Sequence, residues 1–123
     1  MTCVHQIIST PDNFEKVKDI LSSHKTLVFI NDINIGETFY IIARERGMEN
    51  AEYFLRVILP LLPITHVENT LNEVIEASKI KAKYPISYAD SFTVSTACKE
   101  GAVVITGDSE FKLVEKIVTV DWL

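Results

Sequence analysis

The sequence is poor in several features that define common protein classes. Its two cysteines, Cys3 and Cys98, lie far apart and match no zinc-binding spacing. No apolar run is long enough to span a bilayer, and the first residues lack the pattern of a signal peptide. These absences favour a cytoplasmic protein without membrane association. They also favour buried free thiols, with a disulfide as the alternative.

Motifs of several enzyme classes are missing as well. The chain has no glycine-rich dinucleotide or phosphate loop and no nucleophile elbow. Its histidines, His5, His24 and His66, have no acids or cysteines at metal-ligand spacing, which favours surface or hydrogen-bonded core roles. The net charge of -5 argues against a protein that coats nucleic acid through a basic surface, but it does not exclude an enzyme whose carboxylates bind cations.

The sequence does have the composition of one globular domain spanning residues 1–123, with 47% apolar residues. Apolar segments predict strands at 26–30, 64–67, 102–105 and 117–120, while residues 1–8 fit either a strand or the end of a truncated helix. Helical patterns begin at Thr10 and cover 31–47, 50–59 and 70–81, with a further helical turn at 112–116. Alternating strands and helices predict a parallel sheet covered on both faces.

Two of these segments carry more specific expectations. Pro60 and Pro63 are expected to end the 50–59 helix. The 70–81 helix is expected to bury Leu71, Val74, Ile75 and Ala77. Its lysines at 79, 81 and 83 either complement the helix dipole or form a small phosphate-facing patch.

The stretch from Ile86 to Phe111 organises the chain. Ser87 and Asp90 fit a capping box at a helix start, and Gly101 fits the helix end. A buried strand and the turn Thr106-Gly107-Asp108 follow. Since ligands in open α/β sheets sit beyond the carboxyl ends of the strands, Asp90 and Asp108 could face one crevice.

A third acid, Glu37, lies in the middle of the 31–47 helix, among apolar neighbours. It is costly to bury unless it is satisfied, and pairing with Arg44 or a lysine is an equal alternative to a functional role. Converging carboxylates are the ligands that Mg²⁺ or Mn²⁺ prefers, and such an ion can promote phosphodiester hydrolysis. Spacing alone leaves open that these acids are unrelated.

The segments Ser87 to Phe92, Thr96-Ala97 and Val104 to Phe111 together resemble the second half of a PIN domain, the metal-dependent nuclease fold of VapC-like toxins. The resemblance implies a three-layer α/β/α fold with a mostly parallel sheet. It also implies that Glu37, Asp90 and Asp108 bind Mg²⁺ or Mn²⁺ and are catalytic. Thr106 matches the family's strand-end hydroxyl and is expected to support catalysis. Glu110 matches an extra acid and is expected as a supporting metal ligand, with a turn-forming or surface role as its alternative.

The same resemblance implies an RNA substrate, a small antitoxin partner and a homodimer. We therefore expect a metal-dependent endoribonuclease of PIN type, the toxin of a toxin–antitoxin pair. The alternative is a catalytically impaired PIN-like module that binds RNA or protein. A plain α/β interaction domain, with its acids as caps and surface charges, is a third possibility.

One departure from the family pattern concerns the N-terminus. PIN domains begin with a strand that ends in Asp-Thr, whereas Met1-Thr2 stands there in this sequence. We expect the N-terminal strand to be truncated or lost together with its Asp. Its place in the sheet would then be filled by residues 1–8 or by a partner chain.

Overall fold

In the part of the chain that the structure describes, five short parallel strands form one sheet with the order β3-β2-β1-β4-β5. The computed structural model describes residues 2–4 and 28–122, and the side chains from Val28 onward. The strands are β1 (Thr2–Val4), β2 (Val28–Asn31), β3 (Thr65–Val67), β4 (Val103–Thr106) and β5 (Val120–Trp122). This sheet, with its helices, confirms the predicted parallel α/β architecture.

The central position is occupied by β1. Thr2 pairs in parallel with Val28 of β2, and Cys3 pairs with Val104 of β4. Of the two expected replacements for the N-terminal strand, residues within 1–8 rather than a partner chain therefore supply the central strand. Three residues are too few to show a period-2 pattern, so the sequence could not distinguish this strand from a helix end.

Five α-helices lie in the described part of the chain: α1 (Asp32–Arg46), α2 (Met48–Tyr53), α3 (Leu59–Leu61), α4 (Leu71–Lys83) and α5 (Tyr88–Glu100). A π-helical turn covers Phe54–Ile58, and a 3-10 helix covers Ser109–Val114. The boundaries of α1 agree with the prediction, because the side chain of Asn31 accepts from the Asn34 N–H at 2.8 Å and Gly47 follows the last turn. The helix predicted from Thr10 lies outside the described residues.

The helical segment after Gly47 continues one residue past Pro60 and ends before Pro63, so the prediction is wrong for Pro60 only. In the π-helical turn the N–H of Leu59 donates to the carbonyl of Phe54, five residues earlier. In a regular α-helix a proline ring clashes with the carbonyl four residues before it. The wider turn directly before Pro60 gives its ring room, so the chain stays helical to Leu61.

Other segments differ from the prediction in detail. Ala77 is buried in α4, but Leu71 and Ile75 are exposed rather than inward-facing. The helical turn expected at 112–116 is the 3-10 helix at 109–114, and the last strand starts at Val120 instead of residue 117. These elements are too short for their periodicity to define their ends.

The main core lies between β4, α5 and the C-terminal segment. Its buried members are Ile86, Val94, Ala97, Ala102, Val104, Phe111, Val114 and Val118. Trp122 packs against this cluster. Cys98 is a free thiol, but it is exposed rather than buried. Among the described residues, no helix is both long and apolar enough to cross a membrane.

Candidate metal centre

Three carboxylates meet beyond the carboxyl end of β4. One ligand oxygen from each of Asp90, Asp108 and Glu110 lies within 4.8 Å of the other two. Asp90 comes from the first turn of α5, Asp108 from the turn after β4, and Glu110 from the 3-10 helix. Two separate segments of the chain thus deliver acids to one point. We refer to these three residues as the acidic cluster.

Asp90 is held by the start of α5. The hydroxyl of Ser87 accepts a hydrogen bond from the Asp90 N–H at 3.1 Å, which confirms Ser87 as the cap. The N–H of Ser87 donates to the carboxylate of Glu110, so an acid from another segment takes the role that the capping box assigned to Asp90. The Asp90 side chain is buried, with an exposed fraction of only 3%.

Asp108 is fixed by a tight turn around Gly107. Its N–H donates to the hydroxyl of Thr106 at 3.0 Å, and its carboxylate accepts from the N–H of Glu110 at 2.9 Å. Thr106 is fully buried at the end of β4. Asp108 therefore caps the 3-10 helix while Thr106 holds its backbone, and the turn aims both acids toward Asp90.

The electrostatics of the cluster favour a bound cation. Burial raises the pKa of Glu110, and the charges of Asp90 and Asp108 and a hydrogen bond with Asp90 raise it further, while the bond from Ser87 opposes them. A divalent cation would relieve this repulsion, and carboxylate oxygens are the ligands that Mg²⁺ and Mn²⁺ prefer. The donor set therefore fits such an ion.

Glu37, the remaining acid named from the sequence, is not part of the acidic cluster. It is half-buried in the middle of α1, one turn after Asn34. The amide of Asn34 donates to the carbonyl of Ala89 at 3.3 Å, so this face of α1 lies against the start of α5. Glu37 is thus on the side of α1 near Asp90, but outside the close group.

A buried polar network that the sequence reasoning missed connects α1 to α5. The Asn31 amide donates to the Thr96 hydroxyl at 2.8 Å and to the Phe92 carbonyl at 3.2 Å. The Thr93 hydroxyl donates to the Asn34 side-chain oxygen at 2.9 Å. Asn31, Asn34, Thr93 and Thr96 are all buried, so the network fixes the helix that carries Asp90. Two asparagines three residues apart at a strand-to-helix junction were the available signal.

His66 lies apart from the acidic cluster. Its Nε2 is hydrogen-bonded to one carboxylate oxygen of Asp32, and the N–H of Asn69 donates to the other carboxylate oxygen of Asp32 at 3.3 Å. All three residues lie at the β2–β3 edge of the sheet. The predicted surface role of His66 is confirmed, although its acidic partner comes from 34 residues earlier in the chain.

Comparison with known proteins agrees with the parallel α/β fold. The family model of the PIN domain matches residues 2–117. The chain belongs to the PIN domain family. No curated protein matches its sequence significantly.

Several solved structures share the fold. VapBC from Salmonella typhimurium bound to DNA is 14% identical, with a TM-score of 0.72 and coverage of 99% of this chain and 98% of that chain. VapBC2 from Rickettsia felis, bound to a promoter DNA fragment, is 16% identical, with a TM-score of 0.70 and the same coverage. VapC20 from Mycobacterium tuberculosis, a sarcin–ricin loop cleaving toxin, is 15% identical, with a TM-score of 0.68 and coverage of 85% and 87%. At these identities the likeness establishes the fold.

Proposed function

We propose that this protein is a metal-dependent endoribonuclease of PIN type that hydrolyses RNA phosphodiesters. The observation that carries the proposal is the convergence of Asp90, Asp108 and Glu110 at the carboxyl end of β4. Ligands of open α/β sheets bind at this edge. An acidic cluster placed there fits a hard divalent cation and, through it, a phosphate group.

Each residue has a distinct part in the proposed site. Asp90, Asp108 and Glu110 hold Mg²⁺ or Mn²⁺, and Thr106 fixes the turn that aims Asp108 and Glu110. Glu37 approaches from α1 as a further acid that binds or orients the ligand shell. A divalent ion, when bound, supplies an acidified water and stabilises negative charge on phosphoryl oxygens. The overall charge of -5 repels RNA, so neutralisation of this edge is needed for the substrate to approach.

The RNA substrate and the protein partners are proposed from the neighbours. One similar structure is a toxin that cleaves the sarcin–ricin loop, and two others are toxin–antitoxin complexes bound to DNA. We propose a cytoplasmic toxin that binds a small antitoxin and forms a homodimer. Exposed apolar side chains between residues 53 and 61 support protein contacts, since such patches are costly to leave in water; they are Tyr53, Leu55, Val57, Ile58 and Leu61.

A second candidate function is a catalytically impaired PIN module that binds RNA or protein. One observation favours it: the central strand β1 carries no acid, and the first acid in the sequence is Asp12. A metal site with fewer carboxylates has less charge to hold a cation. The two candidates predict the same fold but different activity.

The test is RNA cleavage in Mn²⁺, together with Mn²⁺ binding measured by calorimetry. The variants are Asp90→Asn, Asp108→Asn and Glu110→Gln, and Glu115→Gln serves as the matched control because Glu115 is an exposed acid just after the 3-10 helix. Nuclease function predicts that the three cluster variants lose cleavage and Mn²⁺ binding while the control keeps both. Cleavage unchanged in all variants would refute the metal site. Mn²⁺ binding without cleavage by any version would favour the impaired module.

A further inference from the structure

The peptide group between Ile86 and Ser87 is hydrogen-bonded on both sides. Its carbonyl accepts from the ammonium of Lys81 at 2.7 Å. Its N–H donates to the carboxylate of Glu110. One amide therefore connects a lysine of α4 to an acid of the acidic cluster.

The face of α4 that carries Lys81 also contacts Tyr88, the residue after Ser87. Ser78 lies one turn before Lys81, and its hydroxyl is 3.4 Å from the hydroxyl of Tyr88. Tyr88 also packs edge-on against Phe92, with 5.1 Å between the ring centroids. Tyr88, the first residue of α5, is thus anchored to α4 directly after Ser87, the residue whose N–H bonds to Glu110.

The neighbouring lysines of α4 do not make this contact. Lys79 pairs with Glu76 of its own helix at 3.0 Å, and Lys83 is the last, exposed residue of α4. If all three lysines only complemented the helix dipole, their replacement would have similar effects. The contact with Ile86 distinguishes Lys81 from the other two.

We propose that Lys81 is a positioning residue for the metal centre and acts through the Ile86–Ser87 peptide; this inference rests on the proposed function. A cation at the carbonyl polarises the amide, which strengthens donation by its N–H to Glu110. The fixed N–H in turn keeps the Glu110 carboxylate aimed at Asp90 and Asp108. Groups that hydrogen-bond to metal ligands orient those ligands and change the metal affinity without touching the ion.

The direction in which replacement of Lys81 changes Mn²⁺ affinity distinguishes a positioning role from a purely electrostatic one. A lysine near a carboxylate site repels a cation, so removal of its charge alone predicts tighter Mn²⁺ binding. Loss of a positioning contact predicts weaker binding. Lys81→Met keeps most of the aliphatic stem, so packing along α4 is largely retained.

The experiment compares Lys81→Met, Lys81→Arg and the control Lys83→Met. Mn²⁺ affinity is measured by calorimetry, and hydrogen exchange of the Ser87 amide is measured by NMR in metal-free protein. We expect Lys81→Met to weaken Mn²⁺ binding about tenfold, the lower end of the range seen when residues that hydrogen-bond to metal ligands are replaced. We expect its Ser87 amide to exchange faster, Lys81→Arg to restore both properties, and Lys83→Met to leave both unchanged.

Failure of this inference is distinct from failure of the proposed function. If the wild-type protein binds no Mn²⁺, the metal centre is wrong, and the Ser87 exchange rate shows whether Lys81 still holds this peptide. If the wild type binds Mn²⁺ while Lys81→Met binds equally or more tightly, the positioning role is overturned and the metal centre stands. Unchanged Ser87 exchange in Lys81→Met would also overturn the role. Thermal melting of each variant confirms that it is folded.

Discussion

The side-chain amide of Asn31, at the end of β2, donates a hydrogen bond to the hydroxyl of Thr96 in the middle of α5 at 2.8 Å. Asn31 has an exposed fraction of 0% and Thr96 of 4%. The same Asn31 side chain caps α1 through the Asn34 N–H. One buried residue therefore sets both the start of α1, which carries Glu37, and the position of α5, which carries Asp90.

Thr96→Val tests this relationship, because valine keeps a similar shape but offers no acceptor to the Asn31 amide. We expect a loss of about 1–3 kcal/mol in the free energy of unfolding, since a buried donor loses a partner. Urea denaturation followed by circular dichroism measures it. Thr38→Val is the control, because the Thr38 hydroxyl donates only to the carbonyl of Asn34 within α1. Equal losses in the two variants would contradict a special role for the Asn31–Thr96 contact.

Glu110→Gln tests whether the acidic cluster is strained without a cation. Because the pKa of Glu110 is raised in the folded protein, ionisation of Glu110 lowers stability. This loss of stability is absent at pH values below the ordinary pKa of glutamate and complete at pH values above the raised pKa of Glu110 in the folded protein. In EDTA we expect Glu110→Gln to stabilise the protein by at most about 0.5 kcal/mol after allowance for solvent screening. The gain should grow as pH rises through the folded-state pKa.

Mn²⁺ should reverse this order of stability. An ion that binds only the folded wild type adds about 2.7 kcal/mol at a concentration a hundred times its Kd, and the glutamine variant should lose most of that gain. Thermal melts with EDTA and with Mn²⁺ at several pH values measure both effects. A wild-type melting temperature that Mn²⁺ leaves unchanged would argue against a metal centre.

Lys99→Met tests the ion pair that ties the end of α5 to the start of α4. Lys99 lies 2.5 Å from Glu73, and the hydrogen bond from Lys99 is the largest cause that lowers the pKa of Glu73. An acid with a lowered pKa contributes stability above its ordinary pKa, and this contribution is lost as pH falls through the folded-state pKa. We expect wild type to be slightly more stable than Lys99→Met near neutral pH, with the difference vanishing in acid. Melting temperatures from pH 7 to pH 3 measure it, and high salt should reduce the difference.

Gly101→Ala tests the turn between α5 and β4. Gly101 has a φ of 62°, in the left-handed region, and a Cβ at this position would meet no atom within 4 Å. The cost of alanine is therefore the backbone conformation alone, about 1–2 kcal/mol. Gly101→Asn should cost less, because asparagine tolerates this conformation better. An equal loss in both variants, measured by urea denaturation, would point to another cause.

Local chemistry made part of the structure predictable. The cap at Asn31, the cap at Ser87 and the glycine at position 101 depend on backbone hydrogen bonds within a few residues, so their residue types are visible in the sequence. The parallel α/β class followed from alternating strand and helix patterns. The roles of Glu37, Asp90, Asp108, Thr106 and Glu110 in catalysis or metal binding remain proposals.

Other features depended on contacts between distant segments. The sequence indicated Glu37, Asp90 and Asp108 as the converging acids and Glu110 as a supporting one, whereas the folded chain groups Asp90 and Asp108 with Glu110 and leaves Glu37 outside the close cluster. The exposure of Leu71 and Ile75 and the pairing of His66 with Asp32 likewise depend on which elements pack together. No pattern within a single element carries that information.

The amino-acid sequence by itself determined where α1 and α5 start and end and which class of sheet the helices cover, because those choices are made by neighbouring residues. The tertiary structure alone decided that residues 2–4 form the central strand, pairing with residues 28–29 and 103–105. It also decided that Glu110 bonds to Ser87 across 23 positions of sequence. The strand hydrogen bonds join backbone groups that nearly every residue offers, and the Ser87 N–H can bond to any carboxylate that reaches it, so only the packing of the whole chain selects the partners.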